Sequence, residues 1–159
     1  MSVQRYHEDN AAYFVTFVTE ERKKLFRDPL VCQLLLNILT YNKFICRYNI
    51  YAFVIMPEHC HLILQAVGDM RLPGIMQKIK GNFSRFYNQL EGTSGTVLQK
   101  GYFDEVIRNQ KQLNETIQYI HNNPVKNGLV SNIEDYCFSS YQYYEQGNRD
   151  FSLLLRIIE

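Results

Sequence analysis

Proline has no amide hydrogen to give a β ladder, so Pro57 cuts what would otherwise be one long apolar run into two strands, Asn49 to Ile55 and His59 to Ala66. Upstream, Ala12 to Thr19 is rich in β-branched and aromatic residues and alternates tightly enough for a further strand. Tyr102 to Ile107 is a fourth candidate, weakened by Asp104 and Glu105 in its middle. Helices fall between these strands. Asp28 and Pro29 supply a cap and a first-turn proline, and the apolar run Leu30 to Leu39 continues from them. Ile75, Ile79, Phe83, Phe86 and Leu90 recur at helical spacing across Leu72 to Leu90, with Lys78 and Arg85 off the stripe. After a flexible loop at Gly92 to Gly95, a third helix begins near Asn109, with Gln112 placed for a capping box. Its expected end is Asn123, because Pro124 disfavours helical geometry in the residue before it. The order strand, helix, strand, strand, helix, strand, helix predicts an α+β fold. Its form would be a ferredoxin-like sandwich, with a mostly antiparallel four- to five-stranded sheet and helices on one face.

With 159 residues, 46% of them hydrophobic, the chain can close one core, so a single domain over 1–159 is expected. No apolar run reaches the roughly 20 residues of a bilayer span, and the polar start carrying Glu8 and Asp9 does not read as a leader; the expectation is a soluble cytoplasmic protein without a membrane partner. Cys32, Cys46, Cys60 and Cys137 stand singly and far apart, which argues against a disulfide framework or a thiolate zinc site and for buried small hydrophobes. A net charge of +1 excludes a broad cationic footprint, so any nucleic-acid contact must be local. The stretch Arg71 to Lys111 meets that condition, with Arg71, Lys78, Lys80, Arg85, Lys100, Arg108 and Lys111 against Glu91, Asp104 and Glu105. A solvated surface has the same pattern.

Side chains alternate along a strand, so His59 and His61 project from one face while Cys60, Leu62 and Leu64 take the other. Two imidazoles on one face can share a metal ion, although so short a spacing also arises by chance. On the third helix, at about 100° per residue, Leu113, Ile117 and Ile120 form the core stripe. Tyr119 lies away from that stripe, and Asn123, one turn later, falls between the two. A half-buried tyrosine over the helix flank would look the same in a chain with 12 tyrosines.

The segment AFVIMPEHCHLIL resembles the HUH motif of single-tyrosine transposases and Rep-type nickases, with Cys60 between the histidines. MQKIKGNFSRFYNQ, QKGYFDEVIRN, YIHNNPVKNGLV and FSSY follow in order and are similar to the successive blocks of REP-associated tyrosine transposases and their insertion-sequence relatives. The likeness runs from about Tyr13 to Tyr144. It implies that His59 and His61 ligate a metal, that Tyr119 is the nucleophile, and that Asn123 completes the metal site. It also implies a single-stranded or hairpin DNA substrate, cleaved and rejoined through a 5′-phosphotyrosine. Mg or Mn is the implied ion, although two imidazoles suit Zn on ligand preference. Lys78, Lys80, Arg85 and Arg108 are the expected phosphate contacts, while His7 and His121 are expected to be surface or capping residues. A C-terminal extension from about 125, such as the REP-associated branch carries, favours a monomer, with the homodimer of the insertion-sequence branch as the alternative. Leu98 and Gln99 stand where the family commonly has tryptophan and glutamine, a change of packing rather than chemistry. Two other readings remain open: a domesticated hairpin-DNA binding protein without cleavage, and an unrelated zinc hydrolase.

Overall fold

A computed structural model describes residues 8–146 and 154–155; His7 lies outside them. The strands are β1 (Ala12–Val18), β2 (Tyr48–Ile55), β3 (His59–Ala66) and β4 (Phe103–Ile107), and the helices are α1 (Pro29–Cys46), α2 (Leu72–Glu91), α3 (Gln110–Lys126) and α4 (Tyr141–Gln146). All pairings are antiparallel and the sheet order is β2-β3-β1-β4. Through β4 this is the β-α-β-β-α-β arrangement of a ferredoxin-like sandwich. Pro57 sits in the tight turn joining β2 to β3, where the Met56 amide donates to the His59 carbonyl at 2.8 Å and the Pro57 carbonyl accepts from Phe26. The missing proline donor therefore costs the sheet nothing.

Helices cover both faces, not one. Tyr13, Val15 and Phe17 of β1 and Cys60, Leu62 and Leu64 of β3 point into the larger core, beneath α1 and α2. Six of α1's inward residues, Val31, Cys32, Leu35, Leu36, Ile38 and Leu39, are buried there. By length and composition α1 would pass for a bilayer span, at 18 residues and mean hydropathy 1.2, yet that inner face is spent on the sheet. The second face carries a smaller core of Ala52, Val54, Met56, Ile63 and Ile120, which α3 closes. The apolar stripe alone could not assign α3 a side; its packing against β2 and β3 does.

Strand β2 serves both cores because it changes phase. Ile50 pairs with Leu64 but Ala52 pairs with Ile63, leaving Tyr51 as an extra, unpaired residue. Tyr48, Ile50, Phe53 and Ile55 thereby all face the larger core, while Ala52 and Val54 face α3.

Helix ends follow local chemistry. Asp28 accepts from the Leu30 amide at 2.9 Å, and Gly92, with φ of 65°, turns the chain out of α2 in the left-handed region. At α3 the Asn109 side chain accepts from Gln112 N–H at 2.8 Å, and the Gln112 side chain accepts in return from Arg108 N–H at 2.8 Å. The expected stop at Asn123 is corrected: α3 runs on to Lys126, with Pro124 inside it. Pro124 lies in the final turn, so its lost amide removes one bond, while the Asn127, Gly128 and Leu129 amides close the end on Asn123, Val125 and Pro124 carbonyls.

Beyond α3 the chain covers the outer edge of β2. Ser139 bridges Val54, the Ile55 amide donates to Phe138, and the Ser140 amide donates to Phe53. The Tyr136 and Tyr144 hydroxyls donate to the carbonyls of Ile55 and Tyr51, each at 2.6 Å. An open edge is thus masked by the protein's own backbone and phenols. At Leu98, 5% exposed and bridged to Thr19, the residue standing in the family's tryptophan position fills core.

Candidate active site

β3 alternation delivers the histidines. With Cys60 and Leu62 fully buried in the larger core, His59 and His61 must emerge on the α3 face. Their Nε2 atoms converge to 3.0 Å. Each Nδ1 is held from behind: His59 Nδ1 donates to Glu58 Oε1 at 3.1 Å, and His61 Nδ1 meets Thr16 Oγ1, its cross-strand neighbour on β1, at 2.6 Å. Arg22 Nη2 approaches the same Glu58 oxygen at 3.3 Å. With Nδ1–H donated to Glu58, the neutral His59 ring presents a lone pair at Nε2. Burial lowers both ring pKa values, that of His61 to about 3 with the His59 charge adding to the effect; at His59 the Glu58 carboxylate partly opposes burial. Both rings are therefore neutral at neutral pH.

α3 crosses this face and brings the other residues. Ile120 plugs the small core, with Leu113 and Ile117 beside it, and that anchor sets the helix rotation. Tyr119, 42% exposed, stands edge-on to His61 and to Phe14, each with ring centroids 5.8 Å apart. Asn123, one turn on, is buried within hydrogen-bonding reach of His59. It accepts from Asn127 Nδ2 at Oδ1, 3.1 Å, and at its carbonyl, 2.8 Å. Asn123 thus lies beside His59 despite its short side chain. Lys126, seven residues after Tyr119, places its Nζ 5.5 Å from the Tyr119 ring centroid. Glu58, Thr16 and Lys126 escaped sequence reasoning; the first adjoins the histidine motif, and the last falls on the Tyr119 flank at i+7.

The donor set fits a divalent ion. Two neutral imidazole nitrogens at 3.0 Å have the separation expected of neighbouring ligands about 2.1 Å from one centre. At that separation the two nitrogens are bridged either by a ring N–H of His61 or by a cation. The Asn123 amide offers an oxygen from the adjacent helix on rotation of the group. Among the described residues no three His, Cys, Asp or Glu side chains cluster around a metal position, so the remaining ligands would be non-protein oxygens.

The predicted basic residues do not join this site. Lys78 and Arg85 line a cleft between α1 and α2, across the sheet from the histidines. Lys80 donates to the carbonyls of Gln99 (2.7 Å) and Gly101, clamping that loop to α2. Arg108 pairs with Glu8 at 2.8 Å. His121 is corrected from surface to core: it is 6% exposed, its Nε2 lies 2.7 Å from Ser140 Oγ, and burial lowers its pKa to about 4. Its ring packs on Tyr141 and Tyr144, so it faces the C-terminal segment rather than the Tyr119 hydroxyl.

The family described as Transposase IS200 like matches residues 7–123. The REP-associated tyrosine transposase of Escherichia coli K12 is 30% identical over 95 residues, covering 59% of this chain and only about half, 54%, of that protein's length. A Haemophilus influenzae Rd protein to which the same name is provisionally given is 25% identical over 142 residues, covering 81% of this chain and 78% of its own. The solved structure of a REP-associated tyrosine transposase bound to a REP hairpin superposes on 100% of this chain and 99% of its own length, with a TM-score of 0.79 and 26% identity.

Proposed function

This chain belongs to the IS200-like transposase family, and from that membership and the site geometry we propose that it nicks and rejoins single-stranded DNA at hairpin-bearing sequences, with Tyr119 as nucleophile. The observation that carries the reading is the meeting, on one sheet face, of an exposed Tyr119 with the converging nitrogens of His59 and His61.

The Tyr119 phenol oxygen forms a bond to phosphorus as the bond from phosphorus to the 3′-oxygen breaks. The phenol proton passes to solvent, and the 3′-oxygen leaves as a hydroxyl after taking up a proton. The 5′-phosphotyrosine retains the bond energy, so a 3′-hydroxyl can later attack it and release Tyr119 without an external energy source. His59, His61 and Asn123 would hold Mg or Mn, which when bound withdraws charge from the non-bridging phosphate oxygens. Glu58 and Thr16 orient the two imidazoles from behind. Phe14, edge-on to Tyr119, limits the ring's swing and so keeps its oxygen in line. Lys126 places a positive charge beside the phenol as it loses its proton.

The test is a trapped-adduct assay with single-stranded hairpin oligonucleotides in Mn²⁺. A covalent protein–DNA band mapping to Tyr119, absent in Tyr119→Phe with binding retained, is the expected result. An adduct undiminished in Tyr119→Phe refutes the assignment, and binding without any adduct identifies a DNA-binding module instead.

A further inference from the structure

The cleft between α1 and α2 is unused by the chemistry above. It encloses about 480 Å³ and its walls differ in kind. Lys78, Asn82, Arg85 and Phe86 come from α2, spaced along one face; Asn37, Tyr41 and Ile45 are among those from α1. Two cations and no carboxylate line it, in a chain whose 17 basic residues are nearly matched by 16 acidic ones. Several cations elsewhere are committed. Arg22, Lys23, Arg71, Arg108 and Lys111 have carboxylate partners, and Lys80 holds backbone carbonyls. Lys78 and Arg85 have no ion pair among the described residues; Arg85 instead lies 4.8 Å over the Phe86 ring.

The aromatic wall is equally unusual. Tyr41 is 61% exposed and Phe86 39% exposed. Large flat rings left in water beside unpaired cations form a surface on which a polyanion with aromatic bases can stack and neutralise charge together. A lipid or an apolar helix would leave the cations of Lys78 and Arg85 without counter-charges. Duplex DNA would leave the rings without partners, because its bases are already stacked.

The geometry points to the α1–α2 cleft as a second docking site for unpaired DNA, in which Lys78 and Arg85 hold phosphates and Tyr41 and Phe86 stack on bases. This rests on the DNA-processing reading but concerns a different stretch of strand. The cleft lies on the sheet face opposite the histidines, so the docked nucleotides are not those being cut. A flank long enough to pass round the sheet would engage both sites at once, and the second contact would raise affinity without touching the chemistry.

The test compares intact protein with Lys78→Gln/Arg85→Gln and with Tyr41→Ser, using fluorescein-labelled oligonucleotides made of a hairpin with or without a long single-stranded flank. Anisotropy is read across a salt series, and adduct formation is measured at saturating DNA. All three substituted positions line an open cleft, and circular dichroism confirms that each variant is folded. The expected results are a salt slope smaller by about 1.4 for the double variant on the flanked oligonucleotide and an affinity about tenfold weaker for Tyr41→Ser. The flankless hairpin should show no change, and the adduct rate at saturation should stay unaltered. An unchanged slope and affinity on flanked DNA overturns the inference. So does loss of self-association in Tyr41→Ser without loss of DNA binding, which would make the face a contact between copies. Absence of DNA binding and adduct in the intact protein would instead remove the proposed function itself.

Discussion

Glu58→Gln tests the site through a residue that is not proposed to touch the ion. Glu58 Oε1 accepts from His59 Nδ1 at 3.1 Å, and both side chains are mostly buried, at 21% and 12% exposed. Gln retains an oxygen acceptor and loses the charge. A hydrogen bond to a charged partner contributes about 1 kcal/mol more than a neutral one, so Mn²⁺ affinity should fall about fivefold. Glu58→Ala, which removes the acceptor altogether, should lose about 10- to 100-fold. The Arg22 contact adds little, because its side chain is 61% exposed. The pH dependence supplies a second check. Burial lowers the His59 pKa and Glu58 partly restores it. At pH 7.5 the ring is therefore neutral with or without Glu58, and the deficit reflects orientation alone. At lower pH Glu58 favours the protonated ring, which cannot bind metal, so the gap between intact protein and variant should narrow. Free Mn²⁺ measured by electron paramagnetic resonance at pH 7.5 and 5.5 gives both numbers. Unchanged affinity in folded Glu58→Gln would refute the reasoning; a loss beyond about 1000-fold would make Glu58 a direct ligand, well outside what an orienting partner contributes.

Two further outcomes concern stability. His121 has its pKa lowered to about 4 from 6.5 by burial, so the unfolded chain binds a proton that the folded one refuses as pH falls between those values. Stability should therefore drop by about 3 kcal/mol between pH 7 and 4 on this account. Denaturant melts of His121→Gln should show a shallower acid limb, and an identical limb would count against the buried neutral ring. Leu62→Ala deletes a fully buried side chain between β3 and the α1–α2 layer and should cost about 2 to 5 kcal/mol by chemical denaturation, a smaller loss indicating a core that collapses into the gap.

β3 was readable in full because its two faces differ in chemistry: Cys60, Leu62 and Leu64 on one, His59 and His61 on the other. β2 was not, since residues from Ile50 to Ile55 are apolar on either side and conceal the phase change at Tyr51. The stripe of Leu113, Ile117 and Ile120 identified the buried side of α3 but not which sheet face receives it, because periodicity carries no information about distant partners. His121 was misplaced for the same reason. Its partner Ser140 is 19 residues away and arrives only when the C-terminal segment lies along β2. At the site, strand periodicity put the histidines together, while Tyr119 was singled out by block resemblance; their 5.8 Å ring separation then joined two independent lines. Lys78 and Arg85 were placed off the apolar stripe of their helix and expected at phosphates, but the sheet face they occupy depends on helix packing that charge pattern does not encode.

The unpaired Tyr51 makes β2 tolerant of a kind of change that point substitution does not sample. Were its codon lost in frame, Ile50 would adjoin Ala52, and the pairs Ile50 with Leu64, Ala52 with Ile63 and Phe53 with Leu62 would follow plain two-residue alternation, so Tyr48, Ile50, Phe53 and Ile55 would keep the larger core and Ala52 and Val54 the α3 face. What would go is the contact of the Tyr51 hydroxyl with Gln65 and of its carbonyl with Tyr144. In a library scan of the gene, position 51 should accept a gap as well as many letters.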